Sequence, residues 1–449
     1  MLSVVIAPGG VVRGRYKPIV ITAIIVINTL VYIYTSLASD TPLLASSSES
    51  IYKYGFIPYL LFSNLQEALY RIFTSMFIHA DLIHIFFNMY FLWIFGSRLE
   101  GLIGHFKTLL LYIVSGISAV LFHVAFIPIG GYGALATPAV GASGAISGIL
   151  GAYLLMLPHT RLVMCMFFFF IPYCFKLSAE AFMIIWFIQQ VIYGYLRLGG
   201  VAYFAHVGGF VMGLLLTPLL LRHVMRPEIP LNVFRYLEHL LGIFLPRPRG
   251  VSPVVKVILV LLLIAISGGF LYAALNTRDT TVYLSSVEVN DQGDYVVFAI
   301  TPREVVASSS LQEDVRILIN RLINTPYVYN VEYANRVENI VAQYYVNVLG
   351  VRVPVSINML AKYDELGVLV ESHGTMNTVS VIVSPSGVAI GTNKTLKFNL
   401  SSNRVASGHD ISGICLIAAG ISILAVISVV KSRGIFSLYI HEEIPTPYL

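Results

Sequence analysis

The chain has 449 residues, of which 57% are hydrophobic and only 11% charged. A soluble domain carries about a quarter charged residues, so this composition excludes a mostly water-facing surface and points to a polytopic membrane protein. The formal net charge of +5 makes no case for nucleic acid, because basic residues of a membrane protein gather on cytoplasmic loops and no nucleic-acid motif accompanies them.

An apolar segment needs about 20 residues to cross a bilayer as a helix. Residues 18–38 qualify, and Arg13, Arg15 and Lys17 before them place the N-terminus in the cytoplasm. The segment is too long and too tyrosine-rich for a cleaved signal peptide, so a retained helix is expected. Residues 39–80 form a long loop in which Tyr52, Tyr54, Phe56 and Tyr59 mix with polar residues, a composition suited to the headgroup region. The next spans are expected at residues 82–99, 106–129 and 141–157. The apolar stretch 162–173 is short, ends in Ile171-Pro172 and reads as re-entrant, and spans at 177–195 and 201–221 follow.

With the N-terminus inside, the helices starting at Leu82, Gly141 and Val201 run from outside to inside. Their inner ends carry Arg98 and Lys107, then Arg161, then Arg222 and Arg226, as positive-inside topology requires. A basic stretch with Arg235, Arg247, Arg249 and Lys256 precedes a seventh span at 257–275, and an eighth at 411–430 ends at Lys431 and Arg433. Between them, residues 276–410 lie outside and carry two acceptor sequons, Asn393-Lys394-Thr395 and Asn399-Leu400-Ser401. Strand-like alternation at 281–289, 294–300, 327–333, 342–348, 379–383 and 395–400, with an amphipathic helix at 311–323, predicts a small strand-rich α+β domain there. The expected division is a core at 1–226, a cytoplasmic linker at 227–256, the seventh helix, the extracytoplasmic domain, the eighth helix and a cytoplasmic tail at 431–449. Cys165, Cys174 and Cys415 sit in apolar stretches without ligand spacing, so neither a disulfide framework nor a zinc site is expected.

Three places hold polar residues that a lipid-facing helix should not tolerate. They are Gly141-Ala142-Ser143-Gly144, Ala205-His206-Val207-Gly208-Gly209, and His84 with Asn88 one turn apart on one face. All three helices run in the same direction, so the sites reach nearly the same depth near the outer surface. A serine hydroxyl is a weak nucleophile until a base takes its proton, and imidazole titrates near neutrality. His206 is the natural base for Ser143, and the Asn88 and His84 side chains with the Ser143 N–H can face the resulting oxyanion. Gly144 with Gly148, and Gly209 with Gly213, are small-xxx-small pairs that let helix backbones approach closely in lipid, which would bring Ser143 and His206 together.

The runs Gly-Ala-Ser143-Gly-Ala, Ala-His206-Val-Gly-Gly-Phe-Val-Met-Gly213 and His84-Ile-Phe-Phe-Asn88 together resemble the rhomboid family of intramembrane proteases. The resemblance covers residues 16–221 and implies a six-helix core, a Ser143–His206 dyad without aspartate, and Asn88 and His84 at the oxyanion. Tyr70-Arg71 resembles the family's Trp-Arg pair. Glu100 and Gly104 resemble its Glu-xxx-Gly element, which implies a structural brace for the first loop. Some members place an aromatic residue four positions after the serine, against the histidine. This chain has Ser147 there, which leaves the packing of His206 open.

Blander readings compete. A serine in a membrane helix commonly bonds its own i−4 carbonyl, and buried His and Asn commonly join helices. His79 and His123 read as interfacial or packing residues, Phe167 to Phe170 as lipid-facing, and Arg71 and Glu100 as structural. Other protease chemistries fail: His441-Glu442-Glu443 lacks a second histidine, and Ala145 breaks the Gly-x-Ser-x-Gly elbow. The expected fold is an all-α polytopic membrane protein, a six-helix rhomboid-like core with two extra transmembrane helices flanking the α+β domain. The expected function is an intramembrane serine endopeptidase acting on transmembrane or juxtamembrane segments of membrane proteins, without metal or organic cofactor. The expected setting is the lipid bilayer of the cell membrane, multi-pass, with both termini cytoplasmic. The alternatives are a non-catalytic rhomboid-like protein that binds membrane clients, and a receptor or adhesion module anchored by the core.

Overall fold

The computed structural model describes residues 4–8, 15–168, 171–198, 201–221, 250–308, 310, 312–323, 325–348, 350–383 and 389–432. Apolar runs set the helices, and short polar residues set where several of them begin. Helix α1 (Ile19–Leu37) starts after Pro18. Three short helices follow: α2 (Ser48–Tyr54), capped by Ser47, α3 (Leu60–Ser63), and α4 (Leu65–Ser75), capped by Asn64. Asp81 caps α5 (Leu82–Phe91), which passes through a π-helical turn at Leu92–Gly96 into α6 (Ser97–Ile103). Then come α7 (His105–Gly130), α8 (Ser143–Met156), α9 (Ala179–Tyr195), capped by Ser178, and α10 (Tyr203–Leu221). Ser252 caps α11 (Pro253–Asn276), whose proline occupies the first turn where its missing N–H costs nothing. Helix α12 (Glu313–Leu322) is amphipathic, and α13 (Gly408–Lys431) opens with a capping box of Ser407 and Asp410.

Among the described residues, six helices are long and apolar enough to cross a membrane: α1, the continuous Leu82–Ile103, α7, α10, α11 and α13. The chain is a polytopic membrane protein with a separate strand-rich domain. Exposed Val26, Leu30, Phe86, Trp93, Leu261 and Ile427 on these helices form the surface that lipid would cover. Helix α8 is central, with every residue after Ser143 buried. Helices α11 and α13 pair through Ser412 Oγ donating to the Ala274 carbonyl at 2.9 Å. Helix α13 also leans on α7, where the Cys415 thiol meets the Ala125 carbonyl.

The stretch expected to be re-entrant is instead a β-hairpin. Strands β2 (Arg161–Phe168) and β3 (Ile171–Ser178) pair antiparallel, and β1 (Val4–Pro8) adds to the other side of β2. Twelve apolar residues fit a strand pair as well as a helical turn, and Pro172 is tolerated because β3 is an edge strand. The membrane part is therefore not all-α. Cys165 and Cys174 stand directly opposite in this hairpin and form a disulfide, which corrects the expectation that the cysteines are unbridged.

The strand-rich domain is one antiparallel sheet in the order β6-β5-β4-β10-β9-β8-β7, with β4 Thr281–Val289, β5 Gln292–Ile300, β6 Val305–Ala307, β7 Val337–Val348, β8 Val351–Tyr363, β9 Leu369–Val383 and β10 Ala389–Ser407. Leu318 and Leu322 of α12 share its core with Val287, Phe298, Met376 and Leu396. The strand expected at 327–333 is a turn ending in a 3-10 segment, Val331–Tyr333. The Asn330 side chain accepts from the Glu332 N–H and diverts the backbone. Strand β8 was not anticipated, although its exposure alternates almost perfectly. The domain touches the membrane part where the Tyr132 hydroxyl approaches Thr280 Oγ1 at 3.4 Å.

Arg13, Arg222, Arg226, Arg235, Arg247, Arg249 and Arg433 lie outside the described residues, as do Phe169, Phe170, the 441–443 motif and most of the linker and tail.

Candidate active site

The site starts from a helix cap. Asp81 Oδ1 accepts the His84 N–H at 2.8 Å, which fixes the first turn of α5 and sends His84 and Asn88 toward one face. The Ala80 N–H points at His84 Nδ1 (3.5 Å), an arrangement that favours the tautomer with the ring proton on Nε2. Nε2 faces Gly141, where a Cβ would come within 2.7 Å of it. Gly141 also has φ +117°, a backbone state that L side chains rarely adopt. The next residue, Ala142, donates its N–H to His79 Nε2 at 3.4 Å. His79 is wholly buried, and its ring meets His84 edge-on at 5.1 Å. Burial, with His84 beside it, pushes the His79 imidazole down to about 3, so it stays neutral and able to accept. It supports the turn into Ser143, in keeping with the packing alternative of the two expected for it.

Ser143 begins α8, and its Oγ lies 2.8 Å from His206 Nε2 on α10. The glycines explain the approach. A Cβ at Gly209 would overlap the Gly144 carbonyl, one at Gly213 the Gly148 carbonyl, one at Gly148 the Ser115 hydroxyl, and one at Gly144 the Ala119 side chain. Helices α8 and α10 thus pack backbone to backbone.

His206 Nδ1 lies 2.7 Å from Gln190 Oε1 on α9, and Trp186, one turn earlier, sets its ring 6.2 Å from the imidazole. Sequence reasoning missed both residues, although their i,i+4 spacing in an apolar helix was a usable signal. Ser147 Oγ donates to the Ser143 carbonyl at 2.7 Å. Asn88 is buried and gives one amide hydrogen to the His84 carbonyl at 2.9 Å, which leaves its second amide hydrogen for the space beside Ser143. Ser143, His206, His84, Asn88 and His123 line one cavity of about 1020 Å³. His123, read from the sequence as interfacial or packing, is one of the residues that line this cavity.

The two residues expected to be structural lie apart from this cluster. Arg71 donates from Nε to Glu67 at 2.7 Å and from Nη1 to the Tyr52 carbonyl at 2.5 Å, tying α4 to α2, while Tyr70 is half exposed. Glu100 is fully buried and accepts the Val20 and Ile21 N–H groups at 2.8 and 2.9 Å, with His105 Nδ1 at 2.5 Å. It closes the N-terminus of α1 and does not brace the first loop. Among the described residues, no cluster of three or more His, Cys, Asp or Glu is arranged to hold a metal ion.

Residues 66–223 match the family model described as the Rhomboid domain. RHOMBOID-like protein 6, mitochondrial, of Arabidopsis thaliana is 30% identical over 196 residues, 44% of this chain and 57% of that protein. Rhomboid protein 1, mitochondrial, of Saccharomyces cerevisiae is 31% identical over 31% of this chain and 39% of its own length. Inactive RHOMBOID-like protein 8 of Arabidopsis thaliana is 27% identical over 38% of this chain and 44% of its own. The chain thus spans about half the length of these relatives, or less.

Proposed function

The chain is a rhomboid family protein, and from that premise we propose that it is an intramembrane serine endopeptidase. The observation that carries the proposal is the Ser143 Oγ to His206 Nε2 hydrogen bond of 2.8 Å inside a cavity that also holds His84 and Asn88. Ser143 Oγ attacks the scissile carbonyl while its proton passes to His206 Nε2. The oxyanion accepts from the Ser143 N–H, the His84 Nε2–H and the free Asn88 amide hydrogen. Collapse breaks the C–N bond, and His206 protonates the leaving amine. Water then attacks the acyl-enzyme as His206 takes its proton, and collapse breaks the acyl–Oγ bond, releasing the carboxyl product while His206 returns the proton to Ser143 Oγ.

Helix α8 has 14 residues and rises about 21 Å, short of a hydrocarbon core of about 30 Å. A helix that short leaves room above Ser143 for water, which supports hydrolysis below the membrane surface. Substrates are transmembrane or juxtamembrane segments of other membrane proteins. They must unwind locally to present a carbonyl, so helix-breaking and small residues near the outer interface are favoured. The proposed topology adds α8 and α9 to the six long helices, with both termini on the inner side and residues 276–410 outside. Asn393 and Asn399 of the two sequons are both exposed, which suits that placement. Relatives named mitochondrial give the cell-membrane expectation no support, so the proposal extends only to a multi-pass protein of that orientation.

Purified wild-type protein should cleave a model transmembrane substrate, and Ser143→Ala should not, at unchanged thermal stability. Failure of folded wild type to cleave any of a panel of such substrates would count against the proposal. A relative named inactive favours a second reading, a client-binding protein without catalysis, under which wild type binds these segments and leaves them intact. The pairing of Ser143 with His206 weighs against it. Asn88→Ala is expected to lower kcat about 10²- to 10³-fold, the usual effect of losing one oxyanion donor. Steady-state kinetics check this, and a change confined to KM would remove Asn88 from the proposed role.

A further inference from the structure

Gln190 lies in the middle of α9, 6% exposed. Burying an amide in an apolar helix is costly unless its polar atoms are used. Its Oε1 sits 2.7 Å from His206 Nδ1, and Ser143 Oγ sits 2.8 Å from Nε2 on the other side of the ring. A neutral imidazole carries one proton. A carbonyl oxygen at Nδ1 requires the proton there, which leaves the Nε2 lone pair facing Ser143, the only tautomer in which His206 can accept the serine proton. When the ring becomes an imidazolium, the Nδ1–H to Oε1 bond becomes charge-assisted and stronger.

We propose that Gln190 is a positioning residue that holds His206 in this tautomer and orientation, the task a carboxylate performs in Ser-His-Asp triads. The inference rests on the protease reading above. Its anchor includes a helix outside the segment that matches the family. Helix α9 is held at both ends by α11, which lies beyond the matched residues 66–223. The Ser252 N–H at the start of α11 donates to Glu180 Oε2 at 3.0 Å, and the Tyr195 hydroxyl rests over Gly269, where a Cβ would overlap it. Gln190 lies between these two supports and is held against His206 on α10.

The test uses the full-length protein in detergent. Gln190→Met keeps the length and removes the acceptor; it is expected to lower kcat about 10- to 100-fold, the worth of one hydrogen bond to a charged group, with little change in KM. Gln190→Glu keeps an acceptor and should recover most of the lost kcat, which a purely packing role would not produce. Isotope-edited nitrogen spectra of the histidines, with His206 assigned through His206→Asn, should show Nδ1 protonated in wild type and a tautomer mixture in Gln190→Met. Wild-type kcat in Gln190→Met, no recovery in Gln190→Glu, or a protonated Nε2 in wild type overturns the proposal. If Gln190→Met fails to fold, the Gln190→Glu kinetics and the wild-type tautomer still decide it. If wild type itself neither cleaves nor reacts with a fluorophosphonate, the protease reading falls separately, and the tautomer alone decides whether Gln190 sets the ring.

Discussion

His206→Asn is expected to lower kcat roughly 10⁴- to 10⁶-fold, the range seen when the base of a serine nucleophile is removed. A serine hydroxyl stays protonated at neutral pH, so attack needs an acceptor at hydrogen-bond distance. Among the described residues, His206 Nε2 is the nitrogen bonded to Ser143 Oγ. His84 is poorly placed to replace it, because its Nδ1 is directed at the Ala80 N–H, which favours the proton on Nε2. Asparagine preserves a polar side chain in the same place, so substrate binding and thermal stability should change little. Stopped-time cleavage assays with a melting curve check both halves. A variant that keeps most of the wild-type rate would show that another group activates Ser143.

Gly213→Leu is expected to abolish cleavage without touching any reacting atom. A Cβ at Gly213 would overlap the Gly148 carbonyl, and backbone in a buried helix cannot step aside as a side chain can. Helices α8 and α10 must separate, and a displacement of about 1 Å at a reacting pair costs on the order of 10²-fold in rate. Overpacking should also cost about 1–3 kcal/mol of stability, a drop of several degrees in melting temperature. Leucine is at least as lipid-compatible as glycine, so membrane insertion is not at issue. Gly420→Leu on α13 is the control, since nothing lies within 4 Å of a Cβ there. Both rate and melting temperature should match wild type in the control. Equal behaviour of the two variants would mean that the α8–α10 contact does not hold the dyad together.

The spans were legible because lipid imposes a minimum apolar length, and each of the six long helices falls within a few residues of its expected place. Ser143, His206, His84 and Asn88 were legible because polar side chains in such runs are conspicuous. Gln190 breaks the same rule, but the hydropathy of α9 does not single it out. Its purpose depends on which face α9 turns to His206, and that is a tertiary fact. The hairpin at Arg161–Ser178 was missed because an apolar run of strand length has no period of its own. Its disulfide was missed because cysteines nine residues apart pair only once a strand register sets them opposite. Glu100 illustrates the limit of resemblance: its structural role was anticipated, but the donors it satisfies, Val20 and Ile21, are some 80 residues away.

The most direct measurement is where a fluorophosphonate attaches. Full-length wild type and His206→Asn are treated with the probe in detergent, digested, and the adduct is mapped by peptide mass spectrometry. An activated Ser143 predicts a single adduct on Ser143 in wild type and none in His206→Asn. An adduct on a different serine, or none on wild type that is shown to be folded, would contradict it.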